Sequence, residues 1–272
     1  MCIMDASIII PVYNQFSSLI YVLKGFSRQK YDLNKFEIIV VDDGSNDSLS
    51  LESSHSLSKI SGLNVMLIHQ NNKGRAIARN VGVEMSNSEF IIFCDGDRIP
   101  HENFVKKHIE SSSNLSCVNI GAAYDFFGKM NLFFNNDSID WSYAEKMSRL
   151  PSYYKKIISK NKINDELFQK YSWLSFLVGN SSIYRNLFKS VGGFDDNITR
   201  WGFEHFELGY RLFKNQANFT CNTEIISYHI PHSRPNGFYE MNIKSNIDYI
   251  CNKHVEIDRF YLLDFFGMRE SI

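Results

Sequence analysis

The sequence predicts an α/β protein with a mostly parallel, doubly wound sheet flanked by helices. Three observations predict it. Four short runs are apolar along their whole length, as strands buried on both faces are. Helical patterns separate them, which favours right-handed crossover connections. Each run ends in a polar cluster, and the carboxyl edge of such a sheet is where ligands bind.

The elements follow in order. Ala6 to Val12 (ASIIIPV) reads as the first strand, with a helical pattern from Phe16 to Arg28 behind it. Phe36 to Val41 (FEIIVV) is the second and ends at Asp42-Asp43-Gly44-Ser45. Val65 to His69 (VMLIH) is the third; Asn71-Asn72-Lys73-Gly74 leads from it into the helical RAIARNVGVEM. Phe90 to Cys94 (FIIFC) is the fourth, ending at Asp95-Gly96-Asp97 before a helical pattern from Glu102 to Glu110. The rhythm breaks after about Asn119. Residues Tyr124 to Ser172 read as an aromatic-rich helical insertion, and motifs resume from Leu177. The expected organisation is a nucleotide-binding half over 1–115 and a second half over 116–272 that closes over the site. The insertion, about 120–172, lies in the second half, and the whole forms one compact unit.

Composition narrows the function. Twenty-nine Lys and Arg against thirty Asp and Glu leave a net charge of −1, without the basic excess that phosphate-backbone binding needs. Nucleic acid is therefore not an expected partner. Five scattered cysteines without a CxxC pair make neither a disulfide framework nor a zinc site. No apolar stretch approaches the roughly 20 residues that span a bilayer. The first strand starts too early to leave room for a signal peptide. The expected location is cytoplasmic, with peripheral contact at the inner face of the membrane open to a basic, aromatic stretch around Tyr153, Tyr154, Lys155, Lys156, Lys160 and Lys162. A solvated helix face is the first reading of that stretch, and lining an acceptor groove is a further one.

Asp95-Gly96-Asp97 is the sharpest local signal. Side chains at i and i+2 share a face, and paired carboxylates suit a hard divalent cation shared with phosphate oxygens. An ordinary polar turn reads the same way. Asp42 and Asp43 suit ribose hydroxyls or a base N–H, while Lys73, Arg75 and Arg79 can supply positive charge to a nucleotide or hold Asp95. His229 and His232 follow a strand-like run, and imidazole suits Mn²⁺ better than Mg²⁺. WGFEHFELGYRLF has helical spacing from Glu204, with Glu204, Glu207 and Leu208 on one face and His205 about 100° round.

The ordered set SIIIPVYN, IIVVDDGS, NNKGRAIARNVG, FCDGD, GGFD and WGFEHFELGYRLF resembles family 2 glycosyltransferases of the GT-A fold, most closely the galactosyltransferase-like and chondroitin-polymerase-like branch. The likeness spans about residues 6–115 and 177–232. It implies a UDP-sugar donor and a divalent cation, Mn²⁺ or Mg²⁺. Pro11, Tyr13, Asp42, Asp43, Lys73, Arg79, Asp95 and Gly96 would line the nucleotide side, with Asp95, Asp97 and His229 around the metal. Gly193, in Gly192-Gly193-Phe194-Asp195, would approach the donor sugar, with Trp201 as a sugar-facing platform. The Asp that usually follows Glu204 is His205 here, so Glu204 and His205 are both candidates for the general base, Glu204 slightly ahead. The expected reaction moves a sugar to a hydroxyl of a glycan or lipid-linked acceptor, with inversion. A nucleotidyltransferase and an inactive sugar-nucleotide-binding partner are the alternatives.

Overall fold

The computed structural model describes residues 4–46, 62–112, 114–135, 138–162, 169–232 and 237–266. Its strands are β1 (Ala6–Val12), β2 (Phe36–Asp42), β3 (Val65–His69), β4 (Phe90–Cys94), β5 (Arg98–Pro100), β6 (Cys117–Phe126), the short β7 (Phe134–Asn135), β8 (Ser138–Ile139) and β9 (Ser148–Arg149), β10 (Asn180–Tyr184) and β11 (Asn218–His229). Among the described residues the main sheet runs β3-β2-β1-β4-β10-β6-β11-β5, with β9 against β6. β1 pairs in parallel with β2 and β4, and β2 with β3. β10 is antiparallel to both β4 and β6 and joins the two parallel halves.

The uninterrupted apolar runs are explained by burial on both faces. Ile8 and Ile10 of β1 pack with Ile38 and Val40 of β2 against Leu19, Val22 and Phe26 of the helix Phe16–Phe26. Ile9, Ile39 and Phe93 face the opposite core, which holds Trp173, Phe176, Phe203 and Phe206. Each such side chain contributes about 1.5–3 kcal/mol by leaving water. β3 departs from the expected buried run: it is an edge strand with Met66 and His69 exposed.

The stretch expected to be a helical insertion is a second correction. Its first part is β6, a ten-residue strand at the heart of the sheet, followed by the helices Met130–Phe133 and Trp141–Lys146 around the β7–β8 pair. Helical structure then runs over Ser152–Lys162. β6 escapes sequence reading because Asn119, Gly121 and Tyr124 interrupt its apolar run. Those interruptions accommodate a buried polar network: a Cβ on Gly121 would lie 2.3 Å from the Asn180 amide, and Asn180 donates to the carbonyls of Ala122 and Ile225.

β11 runs parallel to β6, with a register shift between Asn222 and Ile226. Its last residues turn to pair with β5, setting His229 opposite Arg98. The Ile230 N–H donates to the Asp97 carbonyl at 2.8 Å. This pairing carries the end of β11 to the Asp95-Gly96-Asp97 turn.

Candidate active site

A cleft of about 750 Å³ opens at the carboxyl edge of β1 and β4, within the usual size of small-molecule sites. Its walls include Pro11, Tyr13, Gln15, Asp43, Arg75, Arg79, Asp95, Asp97, Trp201, Glu204, His205, His229 and His232.

On one side lies a group of potential metal ligands. Ligand atoms of Asp97, His229 and His232 all fall within 4.8 Å of one another. Asp97 Oδ2 is 3.8 Å from His229 Nε2 and 3.7 Å from His232 Nδ1. His229 Nδ1 is 3.0 Å from Asp125 Oδ1. A carboxylate can only accept, so Nδ1 carries a proton, and Nε2 is the nitrogen that faces Asp97 and can serve a metal. An outer carboxylate orients metal-binding imidazoles in this way. One carboxylate and two imidazoles fit a divalent ion, with Mn²⁺ favoured over Mg²⁺ by the nitrogen ligands.

Asp95, expected beside Asp97 on the metal, turns elsewhere. Its Oδ1 accepts from Arg79 Nη2 at 2.8 Å and its Oδ2 from Arg98 Nε at 3.3 Å. Burial alone would raise its carboxyl, but the guanidiniums of Arg79, Arg98 and Arg75 hold it well below the usual carboxylate range. Gly179 makes this arrangement possible, since a Cβ there would sit 2.2 Å from Asp95 Oδ2. Gly96, expected on the nucleotide side, has a packing reason: a Cβ there would lie 2.7 Å from Val12.

Opposite the metal-ligand group, the helix Glu204–Lys214 begins at the cleft. Phe203 precedes it with φ +69°, a conformation rare for a bulky residue; the buried ring packs on Phe206 and Phe266. Glu204 is buried, and its Oε1 accepts from Arg79 Nη1 at 2.8 Å. Burial pushes its carboxyl up, yet His205, Arg75 and Arg79 together hold it well below the ordinary range. His205 Nδ1 is 3.7 Å from Glu204 Oε1, too far for a hydrogen bond. Arg79 lines the cleft and ties Glu204 to Asp95, the second of the two roles expected of it. Its guanidinium lies 5.4 Å from the Phe194 ring.

The remaining expected residues divide. Asp43 lines the cleft, its carboxylate held by the N–H groups of Lys73 and Gly74, each at 2.8 Å, and by Gln70 Nε2 at 2.7 Å. Asp42 is not in the cleft wall; it braces a turn, accepting from Ser45 N at 3.0 Å and His69 Nδ1 at 2.8 Å. The exposed Lys73 meets the site through its backbone rather than as a cleft-lining cation. Gly193 lies outside the wall as well. Its carbonyl accepts from Arg211 at 2.6 Å, while Phe194 packs against Phe93 and Phe188. The GGFD segment is thus a structural corner, with Asp195 bound to Lys253 and Tyr249. Tyr153 and Tyr154 line the cleft beside Arg98, as the groove-lining reading expects, rather than a solvated face, and Lys156 donates to the Phe265 carbonyl. The side chains of Lys160 and Lys162 lie outside the described residues.

Gln15 and Asp125 are not among the expected site residues, and His232, noted beside His229, is outside the metal set that the resemblance implies. Gln15 donates to Asp97 Oδ2 at 2.9 Å. His232 carried one usable signal, its place three residues after His229. Asp125 carried none, because the strand that presents it was unread.

The sheet with its carboxyl-edge cleft has the α/β architecture of the GT-A fold. The chain belongs to glycosyl transferase family 2, whose model matches residues 7–186; the model for the N-terminal domain of galactosyltransferase matches residues 161–233. The uncharacterized glycosyltransferase YfnE of Bacillus subtilis is 29% identical, covering 93% of this chain and 71% of its own. Chondroitin synthase of Escherichia coli is 26% identical over 82% of this chain, which spans only 34% of that larger protein. S. aureus TarS in complex with UDP superposes with a TM-score of 0.64 at 16% identity, over 99% of this chain and 72% of its own. The mannosyltransferase PcManGT from Pyrobaculum calidifontis, in complex with GDP-Man and Mn²⁺, gives 0.63 at 14%, over 93% and 65%. At these identities the superpositions speak for the fold. Family membership makes the chain a glycosyltransferase and sets aside the nucleotidyltransferase reading. Among the described residues, no helix is long and apolar enough to cross a membrane.

Proposed function

We propose that this glycosyltransferase takes its sugar from a UDP-sugar bound with a divalent cation at Asp97, His229 and His232. It would deliver that sugar, with inversion, to a hydroxyl of a glycan or lipid-linked acceptor. The carrying observation is the convergence of Asp97, His229 and His232 in the cleft. When bound, the cation supplies positive charge where the diphosphate departs. Asp43, Pro11 and Tyr13 border the same cleft on its β1–β2 side, where a nucleoside would sit, and Trp201 offers a sugar an aromatic face.

His205 is the better-supported base. Glu204 is held as an anion by Arg79, which lowers its proton affinity, and its geometry suits orienting and charge-balancing. His205 lines the cleft, and imidazole titrates near neutral pH. In the step we envisage, the acceptor oxygen bonds to the anomeric carbon and its proton passes to His205. The bond from that carbon to the diphosphate oxygen breaks, and UDP leaves with the electron pair. Attack from the face opposite the nucleotide inverts the anomer. A cytoplasmic reaction, at the inner membrane face for a lipid-linked acceptor, accords with this reading.

Calorimetric titration of UDP with and without Mn²⁺ tests the proposal. The expected result is Mn²⁺-dependent binding that Asp97→Ala weakens by roughly tenfold or more, as loss of a metal ligand should. UDP binding indifferent to both the metal and the substitution would overturn it.

A further inference from the structure

Among the described residues, the charged side chains of the cleft are matched one against another, apart from Arg75. Asp95 is bound by Arg79 and Arg98, and Glu204 by Arg79. Asp43 is held by backbone N–H groups and Gln70, and Asp125 by His229. Asp97 faces the two imidazoles. Arg75 remains. It lines the cleft, and among the described residues it makes no hydrogen bond and has no carboxylate within 4.0 Å. The guanidinium lies 5.5 Å from the Trp201 ring centroid, a contact that supports the cation but leaves its five N–H donors unused. Burial holds Arg75 below the usual guanidinium range. Arg79 adds to that lowering, while the more distant acids Glu204, Asp95 and Asp97 oppose it. Arg75 is half-buried at the cleft wall, with its N–H donors open to the cleft, where a ligand can complete them.

We infer that Arg75 is a specificity-determining residue that binds an anionic group, a carboxylate or a phosphate, on one of the two sugars meeting in the cleft. The inference rests on the glycosyl-transfer reading of this cleft and narrows its substrates to acidic sugars. Position favours a sugar: Arg75 lies against Trp201, the proposed sugar-facing platform. The guanidinium fork suits a planar carboxylate or a phosphate through paired N–H bonds.

The two sources of the anion are separated by two titrations of the Mn²⁺-loaded chain. One compares UDP-glucuronate with UDP-glucose; the other, with UDP present, compares methyl glucoside 6-phosphate with methyl glucoside. The expected result is a preference of roughly tenfold or more for the acidic member of one pair, as charge-assisted bonds provide. Arg75→Gln should abolish that preference, and Arg75→Lys should restore part of it. UDP alone should bind Arg75→Gln within about twofold of the parent, which separates this role from general damage to the site. Absence of any preference in both pairs overturns the inference. So does a tenfold loss of UDP affinity in Arg75→Gln, which would assign the guanidinium to the diphosphate. Failure of UDP itself to bind the parent chain would count against the broader reading instead.

Discussion

Arg79 donates to Glu204 through Nη1 and to Asp95 through Nη2, both at 2.8 Å, and so ties the helix Glu204–Lys214 to the end of β4. All three side chains are largely withdrawn from water. Removing the cation leaves two acids without it in a low-dielectric setting. Arg79→Met should therefore lower stability by about 3–5 kcal/mol, measured by urea unfolding. A loss under 1 kcal/mol would show that water compensates the pair.

Asp125 touches the metal-ligand group only through His229 Nδ1, at 3.0 Å. Asp125→Asn can present an N–H to that nitrogen and favour the other tautomer, placing a proton on Nε2. Mn²⁺ affinity should fall roughly 10–100-fold, measured by titration of the metal alone, with little change in unfolding midpoint. Unaltered affinity would mean that His229 is oriented by its strand rather than by Asp125.

His205 and Glu204 lie side by side yet should fail differently. His205→Ala is expected to keep donor affinity while kcat drops about 10²–10⁴-fold, the range for loss of a general base. Glu204→Gln should reduce stability as well, because it weakens the anchor of Arg79. Steady-state kinetics alongside thermal melts distinguish them. Normal turnover in His205→Ala would move the base to Glu204.

His108 supplies a pH dependence remote from the cleft. It is buried between Ser182 and Asn180, at 3.0 and 3.1 Å, and burial lowers its pKa to about 3 despite the hydrogen bond with Asn180. In the unfolded chain it titrates near 6.5. Between those values the unfolded state binds the extra proton, so stability is full above about pH 6.5 and declines as pH falls towards 3. The slope from this residue is at most about 1.4 kcal/mol per pH unit. Urea unfolding from pH 7 to pH 4 should show the gap between the parent and His108→Gln narrowing with acidity. Parallel curves would contradict the assignment.

The strands β1, β2 and β4 are legible because burial on both faces leaves a continuous apolar signature that local reading detects. β6 is not, because its Asn119 and Gly121 serve a polar network with Asn180, a partner distant in sequence. Asp95 and Asp97 look equivalent in the sequence. Their fates diverge because Arg79 and Arg98 claim one, whereas the turn at the end of β11 delivers two histidines to the other.

By itself, then, the sequence determined the α/β class, the polar carboxyl edge and the set of motifs that places the chain among glycosyltransferases, all of which depend on local pattern and order. Only the tertiary structure decided which acid meets the imidazoles, that Glu204 is held by Arg79, and that Arg75 is left over. Those outcomes depend on which opposite charges come within a few ångströms of each other. That is a property of strand register and helix placement, which no local run of residues encodes.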